Sequence, residues 1–200
     1  PMTIQKETRT FDSTIEVRSA EEEGGNKILR GYAAVFDSLS ENLGGFREKI
    51  APGAFDDVLD NDVRALVDHK SDKILGRTRS GTLRLSIDQR GLAYEVDMPE
   101  TTTAQDLMIS ITRGDISQSS FGFTVEDDDW SEDEDGRVIR TIKKVGLLLD
   151  VSPVTYPAYQ ATDATMRSLE QFSETQKQST VDIKRKRLEI DTLDLRDKES

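Results

Sequence analysis

Apolar and polar residues alternate with a period of two over much of the first 155 positions, and that period predicts strands. Residues 14–18 read as an edge strand, and an acidic turn follows at 21–26. The run 28–36 (ILRGYAAVF) is a second strand, in which Gly31 signals a bulge or a close backbone approach. Pro52-Gly53 opens a short predicted helix over 54–59, and 63–67 is an apolar strand that stops at Asp68-His69. Further strands are expected at 74–78, 82–87 and 92–98, the last two joined by Asp88-Gln89-Arg90-Gly91. The period then changes: Thr101-Thr102-Thr103 has capping character, Leu107, Met108 and Ile111 share a helical face, and Gly114 supplies a stop. Segments 116–125 and 138–151 read as the arms of a long hairpin with an acidic tip, after which Pro153 and Pro157 stiffen an extended run. At least seven strands with two helices predict a mainly β, α+β fold: a β-barrel or sandwich with flanking helices.

The 200 residues suit one domain with a tail, because domains run to about 100–200 residues. The expected organisation is a flexible N-terminus over 1–10, one folded domain over 11–168, and a charged flexible or helical tail over 169–200. From Glu170 onward 15 of 31 residues are charged and Phe172 is the only aromatic. Val181, Leu188 and Leu195 are spaced by seven, but polar residues fill the positions between, so a coiled-coil seam is not predicted. Lys184-Arg185-Lys186-Arg187 reads as a solvated helix face.

Charge sharpens the picture. The net charge is −12, which argues against binding nucleic acid or an anionic membrane. One decade, 126–135 (EDDDWSEDED), holds eight of the acids, and without it 31 acids face 27 bases. An EF-hand alignment with Gly136 at the sixth position puts Ser131 first and Ile142 last, where Asp and Glu are needed, so a solvated hairpin tip is expected instead. No cysteine is present, which excludes disulfides, thiolate zinc sites and cysteine nucleophiles. One histidine excludes multi-histidine metal sites, and no metal or cofactor is expected. No apolar stretch approaches the ~20 residues of a membrane span, and the first residues lack the apolar core of a signal peptide, so an intracellular type of protein without a membrane partner is expected.

Three places carry candidate chemistry. His69 ends an apolar strand, where a side chain is anchored yet open to a cleft. Ser117, Ser119 and Ser120 run into Phe121-Gly122-Phe123 just after a helix stop. Asp150 is a carboxylate inside the apolar run Leu147-Leu148-Leu149-Asp150-Val151, and a buried carboxylate needs partners. Together they read as a nucleophile, a base and a carboxylate that orients the base. Asp68 is the poorer orienter, since neighbours on a strand point to opposite faces. Arg77 and the Gly122 amide are candidates for stabilising an oxyanion.

Six blocks in order resemble the prohead proteases of tailed phages: Gly31-Tyr32-Ala33-Ala34-Val35-Phe36, Glu48-Lys49-Ile50-Ala51-Pro52-Gly53-Ala54-Phe55, Leu66-Val67-Asp68-His69, Leu75-Gly76-Arg77-Thr78, Ser119-Ser120-Phe121-Gly122-Phe123 and 150–159 (DVSPVTYPAY). The resemblance implies a herpesvirus-protease-like β-barrel and a serine endopeptidase of capsid maturation. It places the family histidine on His69, the serine on Ser120 and the acidic position on Asp150. It also implies that the enzyme works inside the immature capsid in the host cytoplasm. There it would cut the scaffolding part of the major capsid protein and then itself, which makes a homo-oligomer an expectation. A second reading of the same fold is a non-catalytic scaffold or interaction domain of the capsid interior.

Overall fold

In a computed structural model of the protein, residues 6–11, 15–19, 27–156 and 163–198 are described, with side chains in the last segment from 165 to 187. Among the described residues, ten strands form two sheets. In the first, β1 (Glu7–Phe11), β9 (Gln118–Glu132), β10 (Val138–Val154), β5 (Arg64–Val67) and β6 (Lys70–Arg77) lie in that order, and β4 (Phe46–Ile50) also pairs with β10. In the second the order is β2 (Glu16–Ser19), β3 (Lys27–Val35), β8 (Gly91–Asp97) and β7 (Leu83–Ile87). Helix α1 (Thr102–Arg113) follows β8. Its start is capped by the Thr101 hydroxyl, which accepts from the Ala104 amide, and Gly114 ends it at φ 83°.

The mainly β architecture with two α-helices agrees with the sequence reading. No closed barrel forms among the described residues. The core lies where Leu29, Ala33, Tyr94 and Val96 of the second sheet meet Phe121, Phe123, Leu148 and Val151 of the first, joined by Leu107 and Ile111 of α1. Phe55 and Phe121 meet edge-on with centroids 5.5 Å apart, and Phe121 stacks on Phe123 at 4.5 Å. Gly31 is explained by close approach: a Cβ there would lie 2.9 Å from the Tyr94 hydroxyl. The bulge sits further along β3, between Tyr32 and Ala34.

Three expectations differ from the structure. Residues 7–10, expected to belong to a flexible N-terminus, form most of β1, because the edge of β9 offers them a ladder and Arg9 is fully buried. The predicted helix over 54–59 is a series of separate turns. One carbonyl is diverted, Ala54 O accepting from the Val145 amide of β10 at 2.9 Å, while those of Phe55 and Val58 close turns with amides three residues on. The acidic decade is not a hairpin tip, since β9 continues through Glu132 and the turn is centred on Asp133 to Gly136. Bases on β10 offset the charge of the strand, with Lys144 reaching Glu126 at 2.9 Å and Arg140 reaching Asp128 at 2.6 Å, while within the turn Arg137 reaches Asp133 at 2.8 Å. The acidic turn expected at 21–26 lies outside the described residues, as does Pro157.

Residues from Asp163 form a second compact unit, which contains the 36-residue helix α2 (Asp163–Lys198). Val181 and Ile183 on it are exposed, as a helix that is polar all round would have them. Neither α-helix is long and apolar enough to cross a membrane.

Candidate active site

Three neighbouring strands bring the site together. β5 and β6 are joined by the two-residue turn Asp68-His69, in which both residues have positive φ, 51° and 57°. Positive φ at both central positions is the I′ hairpin geometry, and non-glycine residues held there cost about 1–3 kcal/mol each. Asp68 offsets part of this. Its amide donates to Pro153 O at 3.0 Å, its Oδ1 accepts from the Thr155 amide at 2.7 Å, and its Oδ2 accepts from the Thr155 hydroxyl at 3.2 Å. The turn is thereby fastened to the end of β10, and the imidazole of His69 is directed across the sheet.

On β9, Ser119 and Ser120 point to opposite faces. The Ser119 hydroxyl is hydrogen-bonded to the Tyr94 hydroxyl at 2.7 Å inside the core. Burial pushes the Tyr94 phenol up to about 12, with the Ser119 bond pulling the other way. Ser120 faces His69, with Oγ 2.7 Å from Nε2. The same hydroxyl is 2.9 Å from the Arg9 carbonyl oxygen, so its one proton has two acceptors within reach.

On β10, Asp150 stands opposite Gly122 of β9. Its Oδ1 accepts from His69 Nδ1–H and from the Ser152 hydroxyl at 3.0 Å, and its Oδ2 accepts from Lys6 Nζ at 2.6 Å. Burial would raise the carboxyl's pKa, but the hydrogen bonds from His69 and Lys6 outweigh it and hold the group below its ordinary value. An ionised Asp150 fixes the Nδ1–H tautomer, which leaves Nε2 as an acceptor for the Ser120 proton. A hydroxyl, an imidazole and a carboxylate in unbroken hydrogen-bond sequence can generate a nucleophile at neutral pH.

Of the residues singled out in the sequence, His69, Ser120 and Asp150 come together with Gly122 beside Asp150, whereas Ser117, Ser119, Asp68 and Arg77 are engaged elsewhere or exposed. Ser117 is exposed ahead of β9. Asp68 is no orienter, although the reason is its place in a turn fastened to Thr155, not strand alternation. Arg77 is engaged with Asp62 through Nε at 2.6 Å and Nη2 at 2.5 Å, and it makes no hydrogen bond to the triad. Gly122 sits mid-strand between Thr8 and Asp150, and its lack of a side chain serves space: a Cβ would lie 2.3 Å from Asp150 Oδ2 and 2.5 Å from Lys6 Cε. Sequence reasoning missed Ser152 and Lys6. Ser152 was legible, since it lies two residues from Asp150 on the same strand face. Lys6 was not, being 144 residues away in sequence.

Comparison with known proteins bears on this constellation. The model of the caudovirus prohead serine protease family matches residues 13–178. The prohead protease of Enterobacteria phage HK97 is 31% identical over 169 residues, covering 82% of this chain and 69% of its own length. No solved structure is significantly similar. With the match extending over most of the sequence and the strands that carry His69, Ser120 and Asp150 inside it, the chain belongs to the caudovirus prohead serine protease family.

Proposed function

We propose that the protein is the endopeptidase of phage capsid maturation, with Ser120 as nucleophile, His69 as general base and Asp150 as the carboxylate that orients and stabilises the imidazole. The observation that carries this reading is the hydrogen-bond sequence Ser120 Oγ, His69 Nε2, His69 Nδ1, Asp150 Oδ1. His69 takes the Ser120 proton as Oγ attacks a peptide carbonyl. The imidazolium then gives that proton to the departing amine, and water hydrolyses the acyl-enzyme by the same route.

The relative from phage HK97 is named a prohead protease. In keeping with that name, the substrates proposed here are the scaffolding part of the major capsid protein and the protease itself, cut inside the immature capsid. The two sheets are proposed to be an open rendering of the herpesvirus-protease-like barrel.

The test is cleavage of capsid precursor by purified protein, read by intact mass. Ser120→Ala is expected to lower the rate by ~10³-fold or more with the thermal melt unchanged within a few degrees. Ser119→Ala is expected to keep cutting. Full activity in Ser120→Ala overturns the serine assignment, and loss in Ser119→Ala alone moves the nucleophile by one residue.

A further inference from the structure

Ser120 is fully buried, and β1 is part of what covers it. This strand is an edge of its sheet, paired antiparallel along β9 with Thr10 opposite Ser120 and Arg9 opposite Phe121. It lies ahead of residue 13, where the match to the protease family begins. An extended segment laid on a free sheet edge is the geometry by which many proteins bind peptides. Here that segment presents a backbone carbonyl, that of Arg9, to the Ser120 hydroxyl at 2.9 Å.

The side chains of β1 alternate. Lys6 turns toward Asp150 on the triad side, while Glu7 and Arg9 enter a buried ionic cluster. Arg9 donates through Nε to Glu48 Oε1 at 2.7 Å and through Nη2 to Glu48 Oε2 at 3.1 Å. Arg140 Nη1 donates to Glu7 Oε2 and to Glu48 Oε2, both at 2.9 Å, and Arg140 Nε donates to Asp128 Oδ2 at 2.6 Å. Arg9, Glu48 and Arg140 are each no more than 3% exposed.

As a stabilising device such a cluster is poor, because desolvation consumes most of the attraction between buried charges. Its geometry suits recognition better. With β1 in place, Glu7, Glu48 and Asp128 face Arg9 and Arg140. Without β1, Glu48 loses the guanidinium that its two oxygens accept from, and it is left as a carboxylate arranged for a two-pronged donor.

Resting on the assignment of Ser120 as nucleophile, we propose that β1 occupies the substrate groove as an intramolecular stand-in and that Glu48 determines specificity. Glu48 selects an arginine or lysine whose carbonyl is presented to Ser120. Substrates are therefore cut on the carboxyl side of a basic residue, and an incoming chain must first displace β1.

The test uses the full chain and a peptide copying residues 5–14, alongside the same peptide with alanine at the position of Arg9. Cleavage is expected between the arginine and the threonine, with kcat/KM about tenfold or more above that of the alanine peptide, as a charge-assisted bidentate contact commands. Glu48→Gln in the protein is expected to bring that ratio toward one. Arg9→Ala in the protein is expected to raise kcat/KM for the arginine peptide several-fold, because the competing strand is weakened. If Arg9→Ala does not fold, Arg9→Lys gives the same reading with a smaller rise. No preference for the arginine peptide, or a ratio untouched by Glu48→Gln, overturns the role of Glu48. Turnover lowered or unchanged on weakening β1 overturns the stand-in. A fluorophosphonate probe separates the two levels: labelling of Ser120 without cleavage of the arginine peptide sinks this inference alone, whereas a Ser120 that neither labels nor matters sinks the mechanism beneath it.

Discussion

Gly122 governs how closely the carboxylate can stand to the imidazole. Its missing Cβ is the space occupied by Asp150 Oδ2 and by the end of Lys6. In Gly122→Ala the carboxylate must give way, and a displacement of about 1 Å in a positioned catalytic group costs ~10²-fold in rate. That loss in kcat, with a modest fall in melting temperature, is the expected outcome in peptide turnover and thermal melts. The glycine of the aromatic-glycine-aromatic run is thus required by the carboxylate that stands opposite it. Residue chemistry was legible where composition left no choice: a single histidine reduces the available imidazole bases to one, and the absence of cysteine removes a thiol nucleophile. The choice between Ser119 and Ser120 was not legible from chemistry, since both are serines in one strand. The proposed choice of Ser120 rests on which face meets Tyr94 and which meets His69.

At the scale of elements, the turn between β5 and β6 is the component most sensitive to change. It holds the imidazole through a backbone conformation that few side chains tolerate. Asp68→Val is expected to destabilise the protein by about 1–3 kcal/mol through strain at φ > 0, and to lower kcat by releasing the turn from Thr155. Asp68→Asn keeps the conformation and the acceptor for the Thr155 amide, so most activity is expected to remain. Denaturant unfolding and peptide turnover together check both. Period-two patterning found the strands from β5 to β10, and capping found α1, because those signals are local. The segment 54–59 misled for the opposite reason: a carbonyl there answers to Val145, some ninety residues further on.

For the whole molecule, the depressed carboxyl of Asp150 ties stability to pH. A group held below its ordinary pKa stabilises the fold above that ordinary value, about 4, and the contribution disappears as pH falls through the lower folded value. Acid unfolding of the wild type should therefore be steeper below about pH 4 than that of Asp150→Asn, measured as stability against pH. An equal dependence in both would assign acid sensitivity to other carboxylates. The acidic decade dominates the net charge, yet its partners on β10 and in the turn make it a structural arm and not a patch of bare charge. Composition cannot reveal this, because pairing depends on register.

The connections that define the site also span unusual lengths of chain. Lys6 meets Asp150 across 144 residues, His69 meets Asp150 across 81, and Ser120 meets the Arg9 carbonyl across 111. Contacts so distant in sequence are late events in folding, since loop closure must precede their reward. A nascent chain emerging from the ribosome carries its histidine long before its aspartate, and it has no triad until β10 has emerged and joined the sheet. Synthesis itself thus imposes a delay on proteolysis, and the polypeptide is harmless to its neighbours for as long as it is unfinished.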